Sequence, residues 1–206
     1  MKRLFDLGLA LTLLPVAVVV VAVAALVVLL RERIDPLFRQ VRVGRNEVQF
    51  AIWKLRTMHP STSQVGTHEI AADAVTSTGA FLRKYKIDEL PQVLNVLLGQ
   101  MSFVGPRPGL PTQTELAAER RSRGVFAARP GITGLGQVRG VDMSRPAVLA
   151  ELDAGYVAGR TFAMDLAILW QTLSGRGFGD RVALERGRPE VLTEGERNAP
   201  RSSERG

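Results

Sequence analysis

Two adjacent carboxylates, Asp88 and Glu89, stand just ahead of Pro91 in "KIDELPQVLNVLLGQMSFVGPRPG", and the same stretch ends on Arg107 held between Pro106 and Pro108. Side by side, two acids allow one to attack an electrophile while the other binds a divalent cation or manages a proton. The flanking prolines fix φ on both sides of Arg107, which lowers the entropy cost of aiming its guanidinium at an anion. Arg83, shortly before the pair, can reach the same pocket. Plainer readings stand beside these. An Asp at a helix start is an ordinary N-cap, a Pro-rich loop commonly leaves an arginine in solvent, and Arg83 fits a surface position equally well.

A further candidate is "RPGITGLGQVRG", with Gly131, Gly134, Gly136 and Gly140 between Arg129 and Arg139. Glycines let successive N–H groups form an anion-binding nest. Their order is neither a dinucleotide fingerprint nor a P-loop, and a plain β-turn loop is the alternative.

These groups need elements to hold them. Leu90, Val93, Leu94 and Leu97 recur at helical spacing with Gly99 after them, so Asp88 to Leu98 reads as an amphipathic helix with Asp88 at or near its N-cap. Its positive end would receive phosphate oxygens and keep a carboxylate ionised. Alternation at Leu37, Arg39, Val41 and Val43, a turn over Gly44 to Glu47, and renewed alternation at Val48, Phe50 and Ile52 predict a short hairpin. Helices are expected over Ala80 to Lys86, in "TELAAERRSRG", and in a pair centred on "AVLAELDAGYV" and "AMDLAILWQTL". The apolar side of the last, with Trp170, fits packing in the domain better than the membrane interface. His59 to Thr78 reads as a mobile loop, and residues 180–206, rich in Arg, Glu, Gly, Pro and Ser, as a disordered polar tail.

At the start of the chain, no charge occurs from Leu7 to Leu30, a run exceeding the ~20 residues that cross a bilayer core. A cleaved signal peptide has an apolar stretch about half as long. Lys2 and Arg3 before this run and Arg31, Arg33, Arg39, Arg42 and Arg45 after it make both flanks basic, so the positive-inside rule selects no single-pass orientation. A re-entrant segment broken at Pro15 and a proline-containing single-pass anchor both fit. The absence of cysteine excludes disulfides, Cys-ligated zinc and a thiol nucleophile, and two histidines, His59 and His68, leave little for a triad or a histidine metal site. A formal charge of +7 points to an anionic partner: nucleic acid, anionic lipid or a phosphorylated substrate. The membrane segment favours the last two, and the sequence lacks the interleaved surface aromatics of a nucleic-acid binder.

Through "KRLFD", "VRVGRN", "WKLRTM", "DELPQVLNVLLGQMSFVGPRP", "RPGITGLGQV" and "ELDAGYV", the sequence resembles the bacterial sugar transferase family, small monotopic phosphoglycosyl transferases, over residues 1–175. The resemblance implies an α+β, mainly helical fold: a re-entrant membrane helix-break-helix over residues 1–33, broken at Leu14 and Pro15, then a compact cytoplasmic catalytic domain over 34–179 with a short β-hairpin and amphipathic interfacial helices. Beginning at "KRLFD", the chain resembles the minimal form of a family whose larger members carry extra upstream segments. It implies transfer of a sugar 1-phosphate from a nucleotide-diphosphate sugar, usually a UDP-sugar, to polyprenol (undecaprenyl) phosphate at the bacterial inner membrane, with UMP released. By motif position Asp88 is the nucleophile that forms a covalent phosphosugar and Glu89 its partner. Both are candidate ligands for Mg2+, with Mn2+ as a substitute. Arg83, Arg107, Arg129 and Arg139 are the candidate phosphate ligands, and Gly131, Thr133, Gly134 and Gln137 the nucleotide loop. Anionic lipid is an expected partner, nucleic acid is not, and a homodimer is compatible. Two departures stand out: the family usually has Ser where this chain has Leu14, and often reads "NGRN" where it has Arg139, Gly140, Val141 and Asp142. The competing class is a non-catalytic, membrane-anchored module whose basic face binds anionic lipid.

Overall fold

A computed structural model describes residues 1–60, 62 and 74–175. Most of the expected loop between His59 and Thr78, including His68, and the expected tail over 180–206 lie outside the described residues. The rest is mainly helical with two two-stranded sheets.

Helix α1, Lys2–Glu32, is built from the uncharged Leu, Val and Ala run and is long and apolar enough to cross a membrane. It ends where Arg33 turns left-handed (φ 55) and returns its N–H to the Leu29 carbonyl. The expected interruption at Leu14 and Pro15 is not seen as a gap in the helix: α1 runs on through Pro15. Proline lacks the N–H that would bond the Leu11 carbonyl, a defect that bends a helix without having to end it. One stripe of α1 is buried, Asp6, Ala10, Ala17, Ala24 and Val28, and the remainder exposes large apolar side chains such as Leu11, Val16, Val19, Val23 and Leu30.

Both ends of α1 are fastened to the same body. Near the start, Lys2 Nζ meets Asp165 Oδ2 at 2.6 Å, and Arg3 donates to the carbonyls of Val96 and Leu97. Asp6 accepts from Ser102 Oγ and the Phe103 N–H. Near the end, Ala24 and Val28 pack with Leu55 and Leu82, and Glu32 accepts from the Thr78 N–H at 3.3 Å.

The predicted hairpin is present: β1, Leu37–Val43, pairs antiparallel with β2, Gln49–Leu55, from Leu37 opposite Leu55 to Val43 opposite Gln49. Its faces are not those that hydrophobicity suggests. On β1 the polar Gln40 and Arg42 are buried while Leu37 and Val41 are exposed, whereas β2 buries Phe50 and Ile52. Helix α2, Ser77–Lys84, is capped by Thr76 Oγ1 accepting from the Gly79 N–H at 2.9 Å.

The predicted amphipathic helix is shorter than expected. Ile87–Gln92 forms a 3₁₀ turn and only Val93–Leu97 is α-helical (α3), with Gly99 at φ +80 just past its end. Asp88 is not an N-cap; that position belongs to Lys86, held left-handed at φ 56, and Asp88 lies inside the turn. The buried face is Val93, Asn95 and Val96, while Leu94 is exposed. Asn95 explains the offset, because its side chain donates to the carbonyl of Ala51 and accepts from the Trp53 N–H, tying α3 to β2.

Strand β3, Ser102–Val104, runs parallel to β4, Gly131–Thr133. Around them lie α4 (Thr114–Ser122), α5 (Leu135–Val138), α6 (Pro146–Gly159) and α7 (Phe162–Leu173). Val96, Met101, Phe103, Tyr156 and Ile168 form the central core, joined by Ala10 of α1. Helix α7 contributes Ile168 inward, but the side with Trp170, expected to pack in the domain, is exposed together with Phe162, Leu166 and Leu173. The edge-to-face contact of Phe5 with Phe162, centroids 5.0 Å apart, sets that exposed stripe beside the start of α1.

Candidate active site

Lys86 in its left-handed conformation turns the chain out of α2 into the 3₁₀ turn, which puts Asp88 and Glu89 on the interior side, 7% and 9% exposed. Strand β2 runs past them. Lys54, in alternation with Phe50 and Ile52, points to the same side and brings Nζ to 3.0 Å from Glu89 Oε1. The Pro106–Pro108 loop brings Arg107 Nη2 to 3.2 Å from that same oxygen. Arg83, at the end of α2, is held by Nε donating to Thr57 Oγ1 at 2.8 Å, and its charge acts on Asp88.

Two carboxylates this close and this buried cannot ionise alike. Burial, and then the charge of Glu89, push Asp88 from its ordinary 3.8 up to about 6, against the pull of Lys54, Arg83 and Arg107. Burial also opposes ionisation of Glu89, but Lys54, Arg107 and Lys86 outweigh it and hold Glu89 well below the usual carboxylate range. Four cations, Lys54, Arg83, Lys86 and Arg107, thus act on the two acids. Basic groups from three segments meet there, and among them one carboxylate takes up a proton more readily than an ordinary aspartate.

The stretch with Arg83, Asp88 and Glu89 and the loop with Arg107 therefore come together as the spacing suggested. Lys54 escaped sequence reasoning. Its signal was there, since a lysine that continues an otherwise apolar face of a strand has to find an acid or leave the core.

The other candidates are elsewhere. Arg129 Nε donates to the Gly99 carbonyl at 2.9 Å among the charges of Arg3, Arg45 and Asp6, and Arg139 is exposed at the end of α5; neither is among the main charges acting on the acids. The glycines serve close packing. A Cβ on Gly131 would fall 2.1 Å from the Gly105 nitrogen, and one on Gly134 2.1 Å from the Gly105 oxygen. The Gly131 N–H bonds the Pro106 carbonyl, Thr133 Oγ1 pairs with Thr172 Oγ1 at 2.7 Å, and Gln137 Nε2 donates to the Ile132 carbonyl. Gln137 Oε1 is buried without a hydrogen-bond partner among the described residues. The long helix expected to begin at Asp88 is not formed either, since α3 has five residues and follows the 3₁₀ turn.

Among the described residues no three His, Cys, Asp or Glu side chains are grouped to hold a metal. The donor set of Asp88 and Glu89 fits a hard cation of the Mg2+ type, which is held by one or two carboxylates and completes its shell with phosphate oxygens and water.

The family model described as bacterial sugar transferase matches residues 1–176. Similar proteins include an uncharacterized sugar transferase, EpsL, of Bacillus subtilis, 39% identical over 84% of this chain and 85% of that one. A UDP-glucose:undecaprenyl-phosphate glucose-1-phosphate transferase of Caulobacter vibrioides is 38% identical over 84% of this chain and 68% of its own length. The exopolysaccharide production protein PSS of Rhizobium leguminosarum is 36% identical over 86% and 98%.

The raised pKa of Asp88 has a stability consequence. A group whose pKa rises on folding contributes stability below its unfolded pKa and loses it as pH climbs through the folded one. In chelator-treated, metal-free buffer, wild type should therefore lose stability relative to Asp88→Asn between pH 3.8 and about 6, by up to about 3 kcal/mol, and the difference should level off above that. Thermal melts of both proteins across this range check it; a pH-independent difference would contradict it.

Proposed function

This chain belongs to the bacterial sugar transferase family, and from that premise we propose that it moves a sugar 1-phosphate from a UDP-sugar to polyprenol phosphate, releasing UMP and forming polyprenol diphosphate sugar. The observation that carries the reading is the pair of buried acids on which cations from β2, α2 and the proline-flanked loop converge. A diphosphate is the kind of anion that converging guanidinium and ammonium groups bind.

In the first step an Asp88 carboxylate oxygen bonds the β-phosphorus, and the bond from that phosphorus to the bridging oxygen breaks, so the oxygen leaves on UMP. In the second, an oxygen of polyprenol phosphate bonds the same phosphorus and the aspartyl bond breaks, restoring the carboxylate. Asp88 suits attack because the forces that raise its pKa also make its ionised form a stronger nucleophile than an ordinary aspartate. Glu89 stays ionised, fixed by Lys54 and Arg107, and can hold a cation with Asp88. A bound Mg2+ would neutralise diphosphate charge as the leaving group departs. Arg83 and Arg107 neutralise the remainder and align the phosphates.

The membrane part of the reading is re-entrant, with the catalytic domain on the cytoplasmic face of the bacterial inner membrane. It is supported by α1, whose two ends, Lys2 to Asp6 and Ala24 to Glu32, dock on one body. Basic residues at both flanks agree with a common cytoplasmic side. The exposed stripe of α7 with Trp170 would rest in the interface.

Two measurements test this. With undecaprenyl phosphate and Mg2+, UMP should be released from at least one donor in a panel that begins with UDP-glucose and UDP-galactose, and Asp88→Asn should lower the rate at least about 1,000-fold. Undiminished turnover in Asp88→Asn, or vesicle binding with no UMP from any donor, would favour the non-catalytic module. Because the chain has no cysteine, one inserted after Met1 and one at Arg31→Cys report topology cleanly. Both should react with an impermeant maleimide from the cytoplasmic side; labelling from opposite sides would mean a spanning helix.

A further inference from the structure

The loop that carries Arg107 has four consecutive carbonyls, bonded by three elements: β4, α4 and, twice, β1. Pro106 O accepts from the Gly131 N–H at 2.9 Å and Gly109 O from the Val43 N–H at 2.9 Å. Between them, Arg107 O accepts from Arg120 Nη1 at 2.8 Å and Pro108 O from Arg42 Nη1 at 3.0 Å. The two arginines come from α4 and β1 and use the same geometry. Arg120 turns Nε and Nη2 onto one oxygen of Asp153, at 2.9 and 2.6 Å, and Arg42 turns Nε and Nη2 onto Gln40 Oε1, at 3.2 and 2.7 Å. In each case the remaining Nη1 reaches the loop. Arg120 is 3% exposed and Arg42 7%, so neither serves a surface role.

This arrangement completes what the prolines begin. Pro106 and Pro108 fix φ at their own positions but leave ψ open, and ψ sets where each carbonyl points. Holding the carbonyls of Pro106, Arg107 and Pro108 closes that freedom on both sides of Arg107. From this geometry we infer that Arg120 and Arg42, keyed by Asp153 and Gln40, are positioning residues: a two-armed clamp that fixes the direction of the Arg107 guanidinium before substrate arrives. A plain structural ion pair needs only its two partners, and buried pairs of that kind can often be replaced by apolar side chains. Here each guanidinium spans an internal acceptor and the loop at once. Lysine cannot do this, because its donors radiate from a single nitrogen. The effect on turnover rests on the reading of Arg107 as a diphosphate ligand; the clamp itself does not.

The test uses the full-length protein with Arg120→Lys and Arg42→Lys, read in two ways. Hydrogen exchange should quicken in the peptide spanning residues 102–110 and stay unchanged in α7. In UMP release, each variant should lose on the order of 10- to 100-fold in kcat, the scale of a slight misplacement of a charge-stabilising group. In an Arg107→Ala background the same substitutions should cost less than about twofold, since there is no guanidinium left to aim. Unchanged exchange in residues 102–110, losses that multiply with Arg107→Ala, or undiminished turnover in both variants would overturn the proposal. So would loss of the folded state in both, which would assign the arginines to the fold. A wild type that releases no UMP would count against the reaction, while the exchange data would still decide the clamp.

Discussion

One oxygen, Glu89 Oε1, receives both Lys54 and Arg107, and the site's geometry follows from that shared contact. Lys54 belongs to β2, Glu89 to the 3₁₀ turn after α2, and Arg107 to the proline-flanked loop after β3, so one acceptor fixes three segments at a common point. Removing such charges from water costs several kcal/mol for each ion unless partners offset it. Without the two cations Glu89 would compete with Asp88 for a proton, and neither acid would have a defined role. With them the pair divides: Glu89 stays charged, and Asp88 carries the raised pKa. The fold supplies the convergence through polar contacts, Asn95 binding α3 to β2, and through the close approach of Gly105 to Gly131 that sets the base of the loop.

The membrane helix is bound into the same construction. Asp6, buried in α1, bonds the first residues of β3, and the core shared by Ala10, Phe103 and Tyr156 makes α1 a wall of the domain as well as an anchor. Between Leu7 and Leu30 its outward faces expose mainly apolar bulk, which lipid would cover. In the proposed reaction this would hold the site in fixed relation to the membrane, as suits a soluble donor and a lipid-borne acceptor that meet at one aspartate.

Much of this was legible in the sequence, and the misses have physical causes. The dyad, the proline-flanked arginine and the hairpin could be read because their spacing is local. Period-two alternation located β1 but not its inward face, since Gln40 and Arg42 are buried to serve a loop distant in sequence. The stripe of leucines suggested a longer helix with Asp88 as its cap; Asn95 turned α3 toward β2 and left Leu94 outside. Glycines in "RPGITGLGQVRG" suggested an anion nest, but Gly131 and Gly134 are there because the Gly105 backbone lies against them. Lys54 and Arg120 act through partners far along the chain, and no local pattern announces a partner of that kind.

The central claim is that Asp88 becomes covalently attached to the sugar phosphate. The most direct measurement is intact mass, followed by peptide mapping, of protein incubated with a reactive UDP-sugar and Mg2+ and no polyprenol phosphate. The account predicts a mass increase of one sugar phosphate on the peptide containing Asp88, accompanied by UMP and removed by adding undecaprenyl phosphate. UMP that appears only with the lipid acceptor and leaves no adduct, or an adduct that persists in Asp88→Asn, would contradict it.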